Sequence, residues 1–246
     1  MNRWPGVNWL WLPEVDSTNS LAERLLEAWF KDAEGELPTT LICADQQWAG
    51  RGRQDRVWQS PPGNVYVTLL CRQDLAALPW LPLAAAVALR EGVLRLLPLA
   101  PVLLKWPNDL QAQGGKLGGV LCSSRVRGDK AWTITGLGLN VLAAPELHEE
   151  GRSAVNLRDF GFRGTLELAR STVLDTFVAE FFPLLRQPEL LRERWLAASA
   201  HKLGDRLAVR TGTKVLEGTF SGLTNDGRLL LQVEGKLVSL VAGELA

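Results

Sequence analysis

The sequence is poor in the residues that build disulfide frameworks and metal clusters. Its three cysteines, Cys43, Cys71 and Cys122, each stand alone in an apolar stretch. Disulfide-stapled scaffolds and zinc sites need several cysteines at short, regular spacing. The pattern therefore predicts free thiols in a reducing, cytoplasmic compartment.

Charge of one sign is not in excess either. Lys+Arg and Asp+Glu are both 27, so the formal net charge is zero. Such a balance excludes attraction of nucleic acid or of an anionic membrane by bulk charge, and any anion site must be local. At 46% hydrophobic and 22% charged residues, the chain has the composition of a folded globular protein.

Long uninterrupted hydrophobic runs and export signals are missing. The most apolar run, residues 75–89, is cut by Pro79 and Pro82. The chain does not begin with a basic segment that leads into an apolar region and a small-residue cleavage site. These features predict a protein that is neither exported nor membrane-spanning.

Two common phosphate-binding loops are absent as well. Gly-Lys-Ser/Thr, the end of a P-loop, occurs nowhere in the chain. The Gly50-Arg51-Gly52 run begins like a dinucleotide fingerprint, but Asp55 stands where the third glycine is required.

What is present predicts an α+β chain in two parts. Apolar residues recur at helical spacing, and short β-prone runs lie between these segments. The predicted helices are 17–30, with Ser20 and Glu23 as a capping box, 81–97, and two within 168–198 that are interrupted near Pro183 and Pro188; the predicted strands are 41–44, 65–70, 102–104, 117–123 and 132–139. After Gly204 come four short strands, with Asn225-Asp226-Gly227 as a hairpin turn. We predict a main domain over 1–200 and a small all-β domain over 201–246.

The segment from Gln46 to Arg53, continued by Arg56 and Trp58, alternates glycine with arginine. Glycine lets the backbone approach a ligand closely, and guanidinium groups fit carboxylates and phosphates. A solvated basic loop is the alternative. The interleaved glycines favour an anion site.

Three further segments carry weaker signals. Lys105 to Asp109 ends a strand, with Asn108-Asp109 favouring a tight turn. Lys116 lies between the glycine pairs of 114–119, where a plain hairpin with an exposed lysine is the alternative. Gly136 to Val141 places Asn140, both donor and acceptor, after two glycines.

Together, in this order and at these separations, the segments resemble the biotin protein ligase family. The matching strings are Asp16-Ser17-Thr18-Asn19, Gly50-Arg51-Gly52-Arg53 with Arg56 and Trp58, Lys105-Trp106-Pro107-Asn108-Asp109, Lys116-Leu117-Gly118-Gly119 and Gly138-Leu139-Asn140. The Lys-Trp-Pro-Asn-Asp string is very specific. The resemblance extends over nearly the whole chain, up to Ala242-Gly243-Glu244-Leu245.

The resemblance implies a fold and an activity. The fold is a mixed β-sheet flanked by helices, class II synthetase-like, followed by a small C-terminal SH3-like β-barrel. Only 16 residues precede Ser17, so the resemblance implies the monofunctional form without a DNA-binding domain. The activity is formation of biotinyl-5′-AMP from biotin and ATP with Mg²⁺, then transfer of biotin to a lysine of the biotin carboxyl carrier protein of acetyl-CoA carboxylase. No DNA or membrane partner is expected, and a homodimer is allowed.

The resemblance also assigns roles to residues. Catalysis falls to Arg53, Lys116 and Asp109, with Asp109 also near Mg²⁺. The expected biotin-binding residues are Ser17, Thr18, Asn19, Gln47, Gly50, Arg51, Gly52, Arg53, Lys116 and Gly119. The expected ATP-binding residues are Arg53, Arg56, Trp58, Asn108, Asp109, Lys116 and Asn140. Contacts to adenine from 143–166 are not assigned, because residues 154–157 follow the family pattern only approximately.

Three alternatives remain at this point. A lipoate or octanoate ligase is the nearest enzyme, and a non-enzymatic biotin-binding regulator would need no cationic set. A nucleic-acid-binding protein is the most distant, suggested by Trp48 and Trp58 among arginines.

Overall fold

The computed structural model of the chain describes residues 4–32, 36–145 and 153–245. Its first seven strands are β1 Val7–Val15, β2 Thr39–Gln47, β3 Val65–Asp74, β4 Val102–Lys105, β5 Asp109–Ala112, β6 Gly115–Arg127 and β7 Lys130–Leu139. Four α-helices accompany them, α1 Thr18–Asp32, α2 Leu81–Leu96, α3 Leu166–Leu185 and α4 Pro188–Ala197, with short 3-10 helices at Leu75–Trp80 and Leu157–Phe160. The C-terminal strands are β8 Arg206–Thr211, β9 Lys214–Leu223, β10 Leu229–Val233, β11 Lys236–Leu240 and β12 Glu244–Leu245.

The larger sheet is mixed, which confirms the predicted fold class. Its strand order is β1-β2-β3-β7-β6-β5-β4. Strands β1 and β2 pair in parallel through the crossover helix α1, and the remaining neighbours pair antiparallel. This order places the end of β2, the start of β6 and the end of β7 in one region. The glycine-rich segments at these strand ends therefore lie close together.

Strands β1, β5 and β12 were not among the predicted elements. Strand β1 is an edge strand that contains Pro13, and its Trp9 and Trp11 remain 40% and 38% exposed. A proline and partly exposed apolar residues blur the period-2 pattern that identifies a strand. The turn before β5 occupies residues 106–108, so Asp109 starts a strand and the predicted Asn108-Asp109 turn lies one residue too late. The Trp106–Pro107 peptide bond is cis.

Helices cover both faces of this sheet. On one face, Ala22 and Leu26 of α1 pack against Ile42, Leu70 and Ile134. On the other face, α2 and α3 belong to the main hydrophobic core, and ten residues of α2 are buried. The segment Leu75–Leu96 is long and apolar enough for a membrane span, but 67% of its most apolar window is buried within the described protein. Its composition is accounted for by its place in the core.

Two local predictions need correction. The hydroxyl of Ser17, not of Ser20, accepts the capping hydrogen bond of α1, from the Ser20 backbone N–H at 3.4 Å. The helix begins at Thr18, so Ser20 already lies inside it, and Glu23 pairs with Arg51 instead. Pro183 lies inside α3, and the chain breaks only after Leu185.

The C-terminal strands form a separate antiparallel sheet in the order β11-β10-β9-β8-β12. Residues 225–227 form the predicted turn between β9 and β10. The ladders among the described strands end at β11 and β12, and this five-stranded antiparallel sheet is consistent with the predicted small barrel-like domain. Phe220, Leu229 and Leu231 join the same core cluster as α2, which attaches this sheet firmly to the main one.

The cysteines are free, and burial makes them poor nucleophiles. Burial raises the pKa of Cys43 and of Cys122 to about 12, and it raises the pKa of Cys71 as well. The reactive thiolate is therefore a very small fraction of each thiol at pH 8. We expect iodoacetamide at pH 8 to add to none of the cysteines in the native protein and to all of them after unfolding, as read by intact mass. Fast native alkylation of Cys43 or Cys71 would contradict their burial.

Candidate functional site

One cavity of about 630 Å³ lies where the loop after β2, the turn before β5 and the ends of β6 and β7 meet the C-terminal sheet. Most residues that the sequence singled out line it: Ser17, Thr18, Asn19, Gln47, Arg51, Gly52, Arg53, Arg56, Trp58, Lys105, Asn108, Asp109, Lys116, Gly119 and Asn140. Segments far apart in sequence thus form one enclosed surface. The cavity has room for a ligand of drug size or somewhat larger.

Gly50 is the one predicted site residue that is not on the cavity wall. A Cβ at this position would lie 2.3 Å from the Trp58 carbonyl oxygen and 2.6 Å from Ser60 Oγ. Glycine is required here because the two arms of the loop approach each other this closely, with Trp58 N–H donating to Gly50 O at 2.9 Å. Gly50 shapes the loop.

The arginine-rich loop contacts the turn before β5 through Arg53. Its Nη1 donates to Asn108 Oδ1 at 3.2 Å, and Asn108 Nδ2 donates to the Val120 carbonyl at 2.6 Å. Burial is the main cause that lowers the pKa of Arg53, and the nearby Asp109 carboxylate acts in the opposite direction. The guanidinium remains charged, because even a lowered pKa of this group lies far above neutrality. A partly buried positive charge at the junction of two loops is poised for an anion.

The bend of this loop is conformationally unusual. Gln54 and Asp55 both have positive φ, at 55° and 57°. The Gly52 N–H donates to Arg56 O at 2.7 Å across the bend. Non-glycine residues with positive φ are uncommon, and they are held there by surrounding contacts.

Lys116 lies at the start of β6 and reaches into the same cavity. Its Nζ is 2.8 Å from Asp109 Oδ1 and 5.3 Å from the centroid of the Trp58 ring. The residue is half-buried, so the predicted alternative of an exposed lysine on a plain hairpin is wrong. The hairpin itself exists, with Gln113 and Gly114 at positive φ between β5 and β6.

The other two predicted cations are held by carboxylates at opposite ends of the loop. Arg51 Nη1 is 2.7 Å from Glu23 Oε2 on α1. Arg56 pairs with Glu244 of β12. The cationic set is therefore largely neutralised by protein carboxylates, and an anionic ligand would compete with Asp109 and Glu244 for it.

A polar network forms one end of the cavity. The Thr18 N–H and hydroxyl lie 2.8 and 3.1 Å from Gln47 Oε1, to which both donate. Gln47 Nε2 donates to Ser60 Oγ at 2.8 Å, and the buried Thr68 hydroxyl donates to Asn19 Oδ1 at 2.6 Å. The side chains of Ser17 to Asn19 thus serve both helix capping and the wall of the cavity. Fixed amides and hydroxyls of this kind suit a small polar ring.

The opposite end combines an aromatic ring with buried polar atoms that have no partner. The Trp58 indole packs against Gly138, where a Cβ would come within 2.6 Å of the ring. Asn140 Nδ2 donates to the carbonyls of Val155 and Lys116, whereas its Oδ1 is buried and unpartnered, as is Trp58 Nε1. Buried polar atoms are normally hydrogen-bonded, so these two call for a ligand that donates and accepts.

Several wall residues escaped the sequence analysis. Arg210, Glu244 and Leu245 come from the C-terminal sheet, and Tyr66 comes from β3. Ser153 and Ala154 come from the stretch that was left unassigned. The string Gly243-Glu244-Leu245 was recognised only as the end of a domain. No local pattern indicates that Glu244 would meet Arg56, 188 positions away.

The described residues contain no group of three or more His, Cys, Asp or Glu that could hold a metal ion. Asp109 offers one carboxylate, already paired with Lys116. A divalent cation here would need most of its ligands from a phosphate-bearing ligand and water, as Mg²⁺ commonly does.

The Arg56–Glu244 pair should restrain the loop. We expect Glu244→Ala to raise the rate of native-state trypsin cleavage after Arg51, Arg53 or Arg56 by about two- to fivefold, since a partly exposed ion pair contributes roughly 0.2–1 kcal/mol. Glu217→Ala, on the exposed face of β9, is the matched control. Equal cleavage rates in the two variants would exclude a restraint by Glu244.

Comparison with known proteins places this cavity in context. The chain matches the model of the Biotin/lipoate A/B protein ligase family over residues 11–140 and that of the Biotin protein ligase C terminal domain over residues 202–245. It is similar to the biotin–[acetyl-CoA-carboxylase] ligase of Paracoccus denitrificans, with 33% identity over 239 residues that cover 90% of this chain and 92% of the relative.

Solved structures of similar shape include ligand complexes. The biotin protein ligase from Aquifex aeolicus in complex with biotin and ATP has a TM-score of 0.74 and 26% identity, with 97% of each chain covered. The biotin protein ligase from Leishmania major in complex with biotinyl-5-AMP has a TM-score of 0.64 and 27% identity, covering 96% of this chain and 99% of the other.

Proposed function

Because the chain belongs to the biotin/lipoate A/B protein ligase family, we propose that it is a biotin protein ligase that activates biotin with ATP and transfers it to a lysine of an acceptor protein. The single observation that carries this proposal is the cavity itself. Cationic side chains from two separate glycine-lined segments, Arg53 and Lys116 above all, line one cavity between a polar end and an aromatic end.

The chemistry explains why such a site needs fixed positive charge. A carboxylate is a poor acyl donor, so biotin must first become biotinyl-5′-AMP, with release of pyrophosphate. That step drives an anionic carboxylate onto an anionic α-phosphate, and preorganised cations offset the repulsion. Arg53 and Lys116 would bind these oxygens, with Asp109 and Asn108 yielding their contacts to the ligand.

The two ends of the cavity suit the two substrates. The amide of Gln47 with the hydroxyls of Ser17 and Thr18 matches the donors and acceptors of the biotin ureido ring. The unpartnered Asn140 Oδ1 can accept from the exocyclic amine of adenine, and the Trp58 ring offers an aromatic face beside it. Both reactants then meet at Arg53 and Lys116, between the two ends.

Magnesium fits this site as part of the ATP substrate. One carboxylate, Asp109, lies within reach of the phosphates, and Mg²⁺ typically takes one or two protein carboxylates together with phosphate oxygens and water. In the second step Asp109, once released from Lys116, could orient or deprotonate the incoming amine.

Several finer features belong to the same proposal. The acceptor is the biotin carboxyl carrier protein of acetyl-CoA carboxylase, in line with the similarity to the biotin–[acetyl-CoA-carboxylase] ligase of Paracoccus denitrificans. The enzyme works in the cytoplasm, which agrees with three free cysteines. Residues 1–200 carry the catalytic domain and 201–246 a smaller domain that contributes Glu244 to the cavity. The other site residues act as the resemblance implies.

Biotin-dependent exchange between ATP and radiolabelled pyrophosphate tests the adenylation step directly. Mass spectrometry of a carboxyl carrier domain incubated with enzyme, biotin and MgATP tests the transfer. Competition between labelled biotin and lipoate separates the two branches of the family, and we expect biotin to win because lipoate lacks polar groups for Gln47 and Thr18. A protein that binds biotin without exchanging pyrophosphate would be a binding module, and the proposal would be wrong.

A further inference from the structure

One buried side chain, Asn64, holds the segment that leaves β7. Its Oδ1 accepts hydrogen bonds from three consecutive backbone N–H groups, those of Val141 at 2.8 Å and of Leu142 and Ala143 at 3.3 Å each. Asn64 is 0% exposed, so water cannot replace it. The Leu142 N–H also donates to the Gly63 carbonyl at 3.1 Å, whereas Asn64 Oδ1 is the acceptor for Val141 and Ala143. Unpaired buried N–H groups are costly, and the path of residues 141–143 therefore depends largely on this side chain.

The orientation of the Asn64 amide is determined by its other contacts. Its Nδ2 donates to the Tyr66 hydroxyl at 3.1 Å, and that hydroxyl donates its own proton to the Pro61 carbonyl at 2.8 Å. A flipped amide would point its NH₂ group at three N–H donors, so only the observed orientation satisfies every group.

A buried arginine steadies Asn64 from the other side. Arg170 Nη2 on α3 donates to the Asn64 backbone carbonyl at 3.3 Å, while its Nη1 is 2.7 Å from Asp45 Oδ1. The same guanidinium lies 4.6 Å from the ring centroid of Trp11. Through Arg170, Asn64 is thus tied to helix α3 and indirectly to strands β1 and β2, which restrains it from following a displaced 141–143 segment.

The held segment begins directly after Asn140. On its other side, Asn140 is secured by its own N–H, which donates to Leu117 O at 2.9 Å, and by Nδ2, which donates to Val155 O at 3.0 Å. Asn140 lines the cavity, and its buried, unpartnered Oδ1 therefore has its position determined from both directions. Asn64 does not line the cavity, so it can influence a ligand only indirectly, through this segment or through Tyr66, which does line it.

We infer that Asn64 is a positioning residue for the nucleotide. By fixing residues 141–143, it aims the side-chain oxygen Oδ1 of Asn140 at the adenine amine. This inference rests on the proposed function. The same mechanism should contribute to the choice of nucleobase. Guanine presents a carbonyl where adenine presents an amine, and a fixed Oδ1 acceptor repels that carbonyl.

The test compares Asn64→Ala with Asn64→Asp in biotin-dependent pyrophosphate exchange. Alanine removes the acceptor, and we expect the KM for ATP to rise about tenfold, the Kd for biotin alone to stay within about twofold, and the preference for ATP over GTP to fall by about tenfold. Aspartate keeps an oxygen that accepts from the three N–H groups, and Tyr66 can donate to the other, so its KM for ATP should stay within about threefold of wild type. Should Asn64→Ala not fold, Asn64→Ser takes its place.

Thr133→Ala supplies a matched control for lost stability. Thr133 is also 0% exposed and bonds to the Cys71 carbonyl, but it does not line the cavity. The Thr133→Ala variant should change neither the KM for ATP nor the Kd for biotin. In an Asn140→Ala background, Asn64→Ala should add less than about twofold to the KM for ATP, because the two residues act through one atom.

The inference is overturned if Asn64→Ala leaves the KM for ATP and the nucleobase preference unchanged. It is equally overturned if the biotin Kd rises as much as the KM for ATP, if Asn64→Asp behaves like alanine, or if the effects of the two asparagines simply add. These outcomes require an active wild-type enzyme. Absence of exchange in the wild type would instead refute the proposed function.

Discussion

Replacing Lys116 with alanine is expected to lower the rate of adenylate formation by about 10²–10³-fold, the usual effect of losing one preorganised charge donor. Lys116 Nζ lies in the cavity 2.8 Å from Asp109. From there it can leave the Asp109 carboxylate and bind the biotin carboxylate and the α-phosphate instead. Those two groups repel each other most strongly as the new bond forms. The loss should therefore appear in the chemical step more than in binding.

A single-turnover measurement of pyrophosphate release isolates that step. Lys130→Ala is the matched control, because Lys130 also pairs with an aspartate, Asp74, but on the distant end of the β6–β7 hairpin. The control should release pyrophosphate at the wild-type rate. An unchanged rate in Lys116→Ala itself would refute the role of this lysine.

Arg53→Gly should affect the release of biotinyl-5′-AMP more than its formation: the rate of release should rise by a larger factor than the rate of formation falls. Arg53 joins the arginine-rich loop to Asn108, and its partly buried charge is available to the adenylate phosphate. A hydrogen bond to a charged group is worth about 1.5–3 kcal/mol, which corresponds to roughly 10–150-fold in release rate. We expect biotinyl-5′-AMP to leave the variant faster by a factor in this range.

Release can be followed by filtration after the intermediate has been formed from labelled biotin and MgATP. Arg53→Ala distinguishes loss of the guanidinium from the extra backbone freedom of glycine, and both variants should lose the intermediate quickly. Arg72→Ala removes an exposed arginine that pairs with Glu36, and this control variant should retain the intermediate. If Arg53→Gly holds the adenylate as long as wild type, Arg53 is not part of a clamp.

The fold was predictable wherever one periodicity dominated. The core helix α2 and strands β3, β6 and β7 are strongly apolar, and their predicted positions agree with the structure to within a few residues. Strand β1 was missed because an edge strand with Pro13 and half-exposed tryptophans lacks a clean alternation. Strand β12 has two residues, too few for any periodicity to exist.

The candidate site divides in the same way. Arg53, Lys116 and Asn140 stand in distinctive glycine-rich strings, so the sequence could nominate them. Asn64, Arg170 and Glu244 stand in no such string, and each acts through a partner distant in the chain. Burial and hydrogen bonding of this kind depend on which strands become neighbours, which no short window of residues contains.

By itself the sequence determined the residue types of the site, their order and the glycines that keep the backbone close to a ligand, because these depend on local conformation and chemistry. Only the tertiary structure decided which cations share a cavity with which carboxylates, and which buried oxygen remains without a donor. The physical reason is that hydrogen bonds and ion pairs are satisfied across the fold. A side chain such as Arg51 or Arg56 could therefore be recognised as cationic from the sequence, while its partner could not.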